Sequence, residues 1–156
     1  MKAASEETVK DTLPDKLSDL AELALADLNW AKRQPNYRVN MTTWHRTTPA
    51  NKLCYVCLAG AVMAHTLEIP QHHDVMPADF PPNVGSKLLA LDYLRKGLIT
   101  DALNMLPRND PARLGPDAWY ILGRGPDVWF VKYDKDPDKW EQWMRATIEL
   151  LREHGC

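Results

Sequence analysis

Apolar residues recur at helical spacing near the start of the chain, where they predict a first helix. The pattern continues to about Arg33, and Pro35 is expected to end it. Thr12 carries a capping hydroxyl and is followed by Pro14, so we expect the helix to begin there. Its apolar face consists of Leu17, Leu20, Ala21, Ala24, Leu28 and Ala31. A face of this kind is typical of a helix packed against a core.

The last part of the chain predicts a second amphipathic helix. Asp136 precedes Pro137, a pair that favours a helix start, and Gly155 is expected to end the helix. The apolar residues form one stripe along this helix, and the charged residues lie mostly outside it. The stripe consists of Trp140, Trp143, Met144, Thr147, Ile148 and Leu151. We expect this stripe to be buried.

Most of the 12 prolines interrupt the middle of the chain. We predict a helix over residues 83–96, capped by Asn83 and ended by Gly97, and a shorter helix over residues 98–106. The intervening segment, residues 71–82, holds several prolines and predicts a stiff loop.

Strand signals are confined to short segments. Residues 119–122 and 128–133 are rich in aromatic and β-branched side chains, and they flank a turn-like Gly-Arg-Gly-Pro-Asp segment. This arrangement predicts a small β-hairpin. Residues 37–44 are a candidate third strand.

The most apolar run of the chain covers residues 56–64. A helix there is hydrophobic all round and belongs inside a core, and the run is far too short to span a bilayer. Gly60 lies one helical turn from Cys57, where its lack of a side chain lets another backbone approach closely. The sequence therefore predicts a mainly α fold, a compact helical domain built around this central apolar helix.

Length and charge narrow the function classes. The chain has 156 residues and a formal net charge of −2, and no block of one sign occurs. We expect a single domain over residues 1–156, with residues 1–11 a flexible tail. Nucleic-acid binding is disfavoured because it draws on clustered Lys and Arg. The polar, acidic start is unlike a secretory leader, so we expect a cytoplasmic protein with free thiols and an exposed Cys156 at its end.

The pair Cys54 and Cys57 has the two-residue spacing of a zinc half-site. His72 and His73 are candidate nitrogen ligands, and either His45 or His65 is a candidate fourth ligand. No second cysteine pair follows at finger-like spacing, and Cys57 opens the apolar run. We therefore expect no bound metal and no other cofactor, with the zinc site kept as an alternative.

The same pair has three other interpretations. Cys57 at a helix N-terminus is a candidate nucleophile, with His45, His72 or His73 as base and Asp74 as the residue that orients the base. A redox pair normally follows a strand in a βαβ unit, a context that the sequence does not predict. The favoured interpretation is packing, because free cysteine is among the most buried residue types.

Six tryptophans in a chain of this length indicate either a Trp-filled core or a partner surface. Trp and Arg are enriched among the residues that dominate protein–protein binding. Trp119, Arg124 and Trp129 lie in or beside the Gly- and Pro-rich turn, and Trp44 precedes His45. We take these four residues as the candidate partner-binding residues.

One segment resembles a known group of proteins. Trp44-His45, followed by Cys-x-x-Cys-Leu-Ala-Gly-Ala-Val-Met-Ala from Cys54 onward, is similar to a segment of small uncharacterised accessory proteins of tailed bacteriophages and prophages. The resemblance covers roughly residues 44–67 and carries no catalytic residues. It implies a phage gene whose product binds a host protein.

These observations lead to one expectation about function. No acid–base pair, metal set or cofactor loop is evident, so we expect a non-enzymatic phage-type protein. It would bind, and modulate or inhibit, a host protein in the host cytoplasm, such as a defence system. The alternative is a cysteine-dependent enzyme or zinc protein centred on Cys54 and Cys57. The sequence leaves open whether the chain forms a homo-oligomer.

Overall fold

The structure, a computed structural model, describes residues 13–106, 111–126 and 131–156. This part of the chain is mainly α, with a small three-stranded mixed sheet, and so confirms the predicted class. The helices are α1 (Leu17–Arg33), α2 (Leu58–Ala64), α3 (Pro82–Arg95), α4 (Ile99–Asn104), α5 (Pro111–Arg124) and α6 (Pro137–Glu153). The strands are β1 (Tyr37–Val39), β2 (His45–Thr48) and β3 (Leu53–Val56), and a short 3-10 turn covers Pro77–Asp79. The expected flexible tail lies outside the described residues.

Helix α6 follows its sequence pattern closely. Asp136 occupies the N-cap position, and its side chain accepts a hydrogen bond from the Lys139 backbone N–H at 3.1 Å. All six residues of the predicted stripe are buried, and no other α6 residue is. The stripe packs α6 against α1, whose predicted apolar face is also buried.

The start of α1 differs from the prediction. The helix begins at Leu17 with Lys16 at the N-cap, so Pro14 precedes the helix instead of opening it, and Thr12 lies outside the described residues. The Leu13 side chain is buried, and its carbonyl oxygen accepts a hydrogen bond from Lys87 Nζ at 2.7 Å. These two tertiary contacts hold the residues that precede α1 in a non-helical conformation.

The sheet has the strand order β1-β3-β2. Strand β1 runs parallel to β3, and β2 runs antiparallel to it. A small β-hairpin is therefore present, but β2 and β3 form it. The hairpin predicted over residues 119–133 is wrong, because residues 119–124 end helix α5; residues 127–130 lie outside the described residues. Of the candidate strand over residues 37–44, only Tyr37–Val39 forms a strand, which is β1.

The apolar run is divided between two elements. Val56 ends β3, Cys57 caps α2, and all seven residues of α2 are buried. Helix α2 contacts α1, α3 and the strands β2 and β3. Gly60 lies directly against the Trp44 carbonyl, as its lack of a side chain predicted.

Two helix ends need correction. Helix α3 begins at Pro82 with Pro81 at the N-cap, so Asn83 is not the cap, although Gly97 ends the helix in the left-handed region as expected. Cys156 was expected to be exposed, and it is buried with 3% exposure. The turn at Gly155, whose φ is 75°, brings Cys156 back so that its backbone N–H donates to the Leu151 carbonyl.

Among the described helices, none has the length and apolar character that a bilayer crossing needs.

Candidate functional site

The two internal cysteines lie on either side of the junction between β3 and α2. Cys54 lies within the strand, and Cys57 is the N-cap of the helix. The thiol sulfur of Cys57 accepts a hydrogen bond from the Gly60 backbone N–H at 3.3 Å. A capping role of this kind satisfies an N–H group that has no partner within the helix. Cys57 therefore has a structural role in its local sequence.

The environment of Cys57 disfavours a thiolate. The residue is 1% exposed, and burial raises the pKa of its thiol to about 11. The hydrogen bond from Gly60 lowers the pKa, but by less than burial raises it. Reactive cysteines depend on a depressed pKa and on access, because the thiolate is the nucleophile. Cys57 is protonated at neutral pH and is enclosed by the core.

Cys54 is the cysteine that contacts a histidine. Its Sγ lies 3.6 Å from His45 Nε2 and 3.7 Å from His45 Nδ1, and His45 Nδ1 lies 2.7 Å from the carbonyl oxygen of His73. Since a carbonyl only accepts, Nδ1 carries the proton, and Nε2 is free to accept from the Cys54 thiol. Burial raises the pKa of Cys54 to about 11 and lowers the pKa of His45. Cys54 and His45 are therefore a buried pair in which both side chains favour the neutral form.

The loop that supplies the predicted base and orienting group reaches this pair through its backbone. The imidazoles of His72 and His73 are exposed and meet each other edge to face at 4.3 Å. The Asp74 carboxylate accepts a hydrogen bond from the Thr47 backbone N–H at 2.8 Å. The loop therefore fastens itself to β2. Among the described residues, no group of three or more His, Cys, Asp or Glu side chains is arranged to hold a metal ion.

His65, the other candidate ligand, belongs to a separate cluster. Its Nδ1 lies 2.7 Å from Oδ1 of the buried Asp27, and its ring stacks on Trp30 at 4.4 Å. Thr66 Oγ1 donates to the other Asp27 oxygen at 2.5 Å. Burial raises the pKa of Asp27, and the hydrogen bonds from Thr66 and His65 oppose that rise. This cluster joins α1 to the end of α2.

Helix α5 carries the most exposed apolar surface of the described residues. Tyr120 is 65% exposed and Ile121 is 43% exposed. The exposed Arg124 places its guanidinium carbon 5.7 Å from the centre of the Tyr120 ring. We call Tyr120, Ile121 and Arg124 the Tyr120 surface. It combines two large apolar side chains with a cation held beside one of them.

The predicted partner-binding residues have different environments. Arg124 belongs to the Tyr120 surface. Trp119 and Trp44 are half-buried and pack against the core, and Trp129 lies outside the described residues. Sequence reasoning missed Tyr120 and Ile121 because it assigned this segment to a strand. One signal for a helix was present in the sequence. Trp119 and Leu122 have helical spacing, and both side chains pack against the core.

Comparison with known proteins adds no family. The chain matches no protein-family model, no curated protein and no solved structure.

Proposed function

We propose that this protein works by binding another protein through the Tyr120 surface. The observation that carries the proposal is the exposure of Tyr120 and Ile121 side by side on α5, with Arg124 against the Tyr120 ring. Single exposed apolar residues are ordinary, but adjacent large ones beside a cation match the composition of protein interfaces.

The energetics of this surface support an anchor role. Tyr buries a large apolar area when it is covered, and Tyr and Arg are enriched among the residues that dominate binding energy. The Arg124 guanidinium already lies over the Tyr120 ring, so less side-chain freedom is lost when a partner orders it. The matching partner surface is an apolar pocket with a carboxylate at its edge.

The resemblance of residues 44–67 to phage accessory proteins indicates where this partner occurs. A phage product meets the proteins of the bacterial host, so the proposed partner is a host protein in the host cytoplasm. Modulation or inhibition of that protein, such as a component of a defence system, is the proposed outcome of binding.

The test is a pull-down from lysate of a bacterial host with wild-type protein and three variants. We expect a specific host protein with the wild type and with the control Arg145→Ala, on the exposed side of α6. Tyr120→Ser and Arg124→Ala are expected to weaken its capture at least tenfold, about 1.4 kcal/mol or more. Equal recovery with all four proteins, or no specific recovery with the wild type, contradicts the proposal.

The contact between Cys54 and His45 is the observation that favours the alternative, a cysteine-dependent enzyme. Against it, Cys54 has no measurable exposure and burial raises its pKa to about 11. Iodoacetamide distinguishes the two functions. Rapid alkylation of Cys54 or Cys57 in the folded protein supports the enzyme, whereas protection of both contradicts it.

A further inference from the structure

A cavity of about 540 Å³ lies between the turn that follows β1, the end of α3 and the segment that leads into α6. Its apolar lining includes Val39, the last residue of β1, and Met41 from the turn. The rings of Tyr133 and Trp140 also line it, and they meet edge to face at 5.4 Å. The volume falls in the range of about 300–1,000 Å³ that is typical of small-molecule sites.

Arg95 supplies a cation to this cavity from the last turn of α3. Its side chain is 20% exposed, and its Nε donates to Asp92 Oδ1 at 2.7 Å. Within the part of the chain that the structure describes, neither terminal amino group of the guanidinium has a hydrogen-bond acceptor. Asp92 is also 3.1 Å from Lys96 Nζ, so Arg95 does not neutralise that carboxylate alone. Among the described residues, the guanidinium therefore keeps donors available for an anion.

The turn presents a further donor. The side-chain oxygen of Asn40 accepts hydrogen bonds from Thr42, at 2.9 Å from its backbone N–H and 2.6 Å from its hydroxyl. These bonds fix the orientation of the amide, and among the described residues its NH₂ group has no acceptor. Lys132 adds a second cation to the lining, against one exposed acid, Asp134. Donors therefore dominate the polar lining.

We propose that this cavity binds a small organic anion, an oxyanion joined to an apolar or aromatic body. Arg95 and Asn40 donate to the oxyanion, and Tyr133, Trp140 and Met41 contact the body. A guanidinium fork matches the oxygens of both carboxylates and phosphates, so the two anion classes share this recognition chemistry. The site is separate from the Tyr120 surface, and the proposal does not depend on protein binding.

The test is an NMR titration of the full chain with four probes. Phenylacetate and phenyl phosphate carry the body and an anion, benzyl alcohol carries the body alone, and inorganic phosphate carries the anion alone. We expect shifts of the Arg95 Nε–H and Asn40 side-chain amide signals with the first two probes. Binding of benzyl alcohol is expected to be at least tenfold weaker. The tighter of the two aromatic anions identifies the anion class, and inorganic phosphate as tight as phenyl phosphate excludes a role for the body.

Variants separate the site from non-specific attraction. Arg95→Gln is expected to weaken phenylacetate and phenyl phosphate at least tenfold and to keep the fold, because Lys96 still pairs with Asp92. Lys132→Gln changes an exposed side chain of the lining and provides a second test if Arg95→Gln fails to fold, since loss of this cation is also expected to weaken binding of both aromatic anions. Arg145→Gln removes the same charge from an exposed position outside the cavity lining and is expected to bind normally. Equal binding of charged and neutral probes, equal binding by all variants, or no shifts at Arg95 and Asn40 overturns the proposal.

Discussion

Replacing Gly60 by Ala tests the contact between α2 and the backbone of Trp44, the residue that precedes β2. A methyl group added at Gly60 would lie 1.7 Å from the Trp44 carbonyl oxygen, 2.8 Å from its carbonyl carbon and 3.1 Å from Val56 Cβ. The first two atoms belong to the backbone and cannot rotate away. The Trp44 carbonyl is fixed further by a 3.2 Å hydrogen bond from the Cys57 backbone N–H.

The expected loss follows from these distances. A normal contact between two such atoms is about 3.5 Å, and local adjustment covers only part of the difference from 1.7 Å. To relieve the clash, α2 must therefore move away from the start of β2 by more than about 1 Å. Overpacking of a core costs about 1–3 kcal/mol where side chains can shift, so a backbone clash belongs at or above the upper end. The helix propensity of Ala returns about 1 kcal/mol. We expect a net loss of at least about 2 kcal/mol in unfolding free energy.

Two other glycines provide matched controls. At Gly85 the added carbon would lie 2.8 Å from the Pro77 carbonyl oxygen, so Gly85→Ala is expected to cost less than Gly60→Ala. At Gly123 the nearest atom is Thr100 Cγ2 at 3.5 Å, an ordinary contact. Gly123→Ala is therefore expected to be neutral or to stabilise by up to about 1 kcal/mol. Urea unfolding followed by circular dichroism measures all three. Equal stability of Gly60→Ala and wild type would refute the close approach of α2 and β2.

Three further predictions concern the buried thiols and histidine. Cys57→Ala is expected to cost about 1–3 kcal/mol in urea unfolding, because the Gly60 N–H loses its acceptor inside the core. Cys57→Ser is expected to cost less, since a hydroxyl is a good helix cap; the opposite order would contradict the capping role. All three cysteines are expected to resist a thiol reagent in the folded protein and to react after unfolding, because each is buried and burial raises each pKa; fast reaction of a native thiol would count against this. Burial lowers the pKa of His45 below its ordinary value of about 6.5, so the folded state resists protonation. The unfolding free energy is therefore expected to fall as pH drops below about 6.5, by at most about 1.4 kcal/mol per pH unit from this group. His45→Gln should reduce the difference between pH 7.5 and 5.5, and an unchanged difference would assign it to other groups.

The sequence by itself determined the elements whose signals are local. Helix α6 is the clearest case, with its cap at Asp136, its apolar stripe and its end at Gly155. Each of these features depends on residues that lie within about four positions of one another in the sequence. The apolar face of α1 and the need for glycine at position 60 were readable in the same way. A helix of 17 residues with a clear stripe repeats its signal over several turns, so packing does not need to override it.

Only the tertiary structure decided the features that depend on distant partners. Residues 119–122 have strand-forming side chains and still end helix α5, because strand preference depends on neighbouring strands and burial. The pairing of β1 with β3, and the contact of Cys54 with His45, join residues that no local pattern connects. The exposure of Tyr120 and the cavity beside Arg95 are equally non-local. Each is set by which surfaces meet when the helices pack, and that choice lies in the sum of many weak contacts across the whole chain.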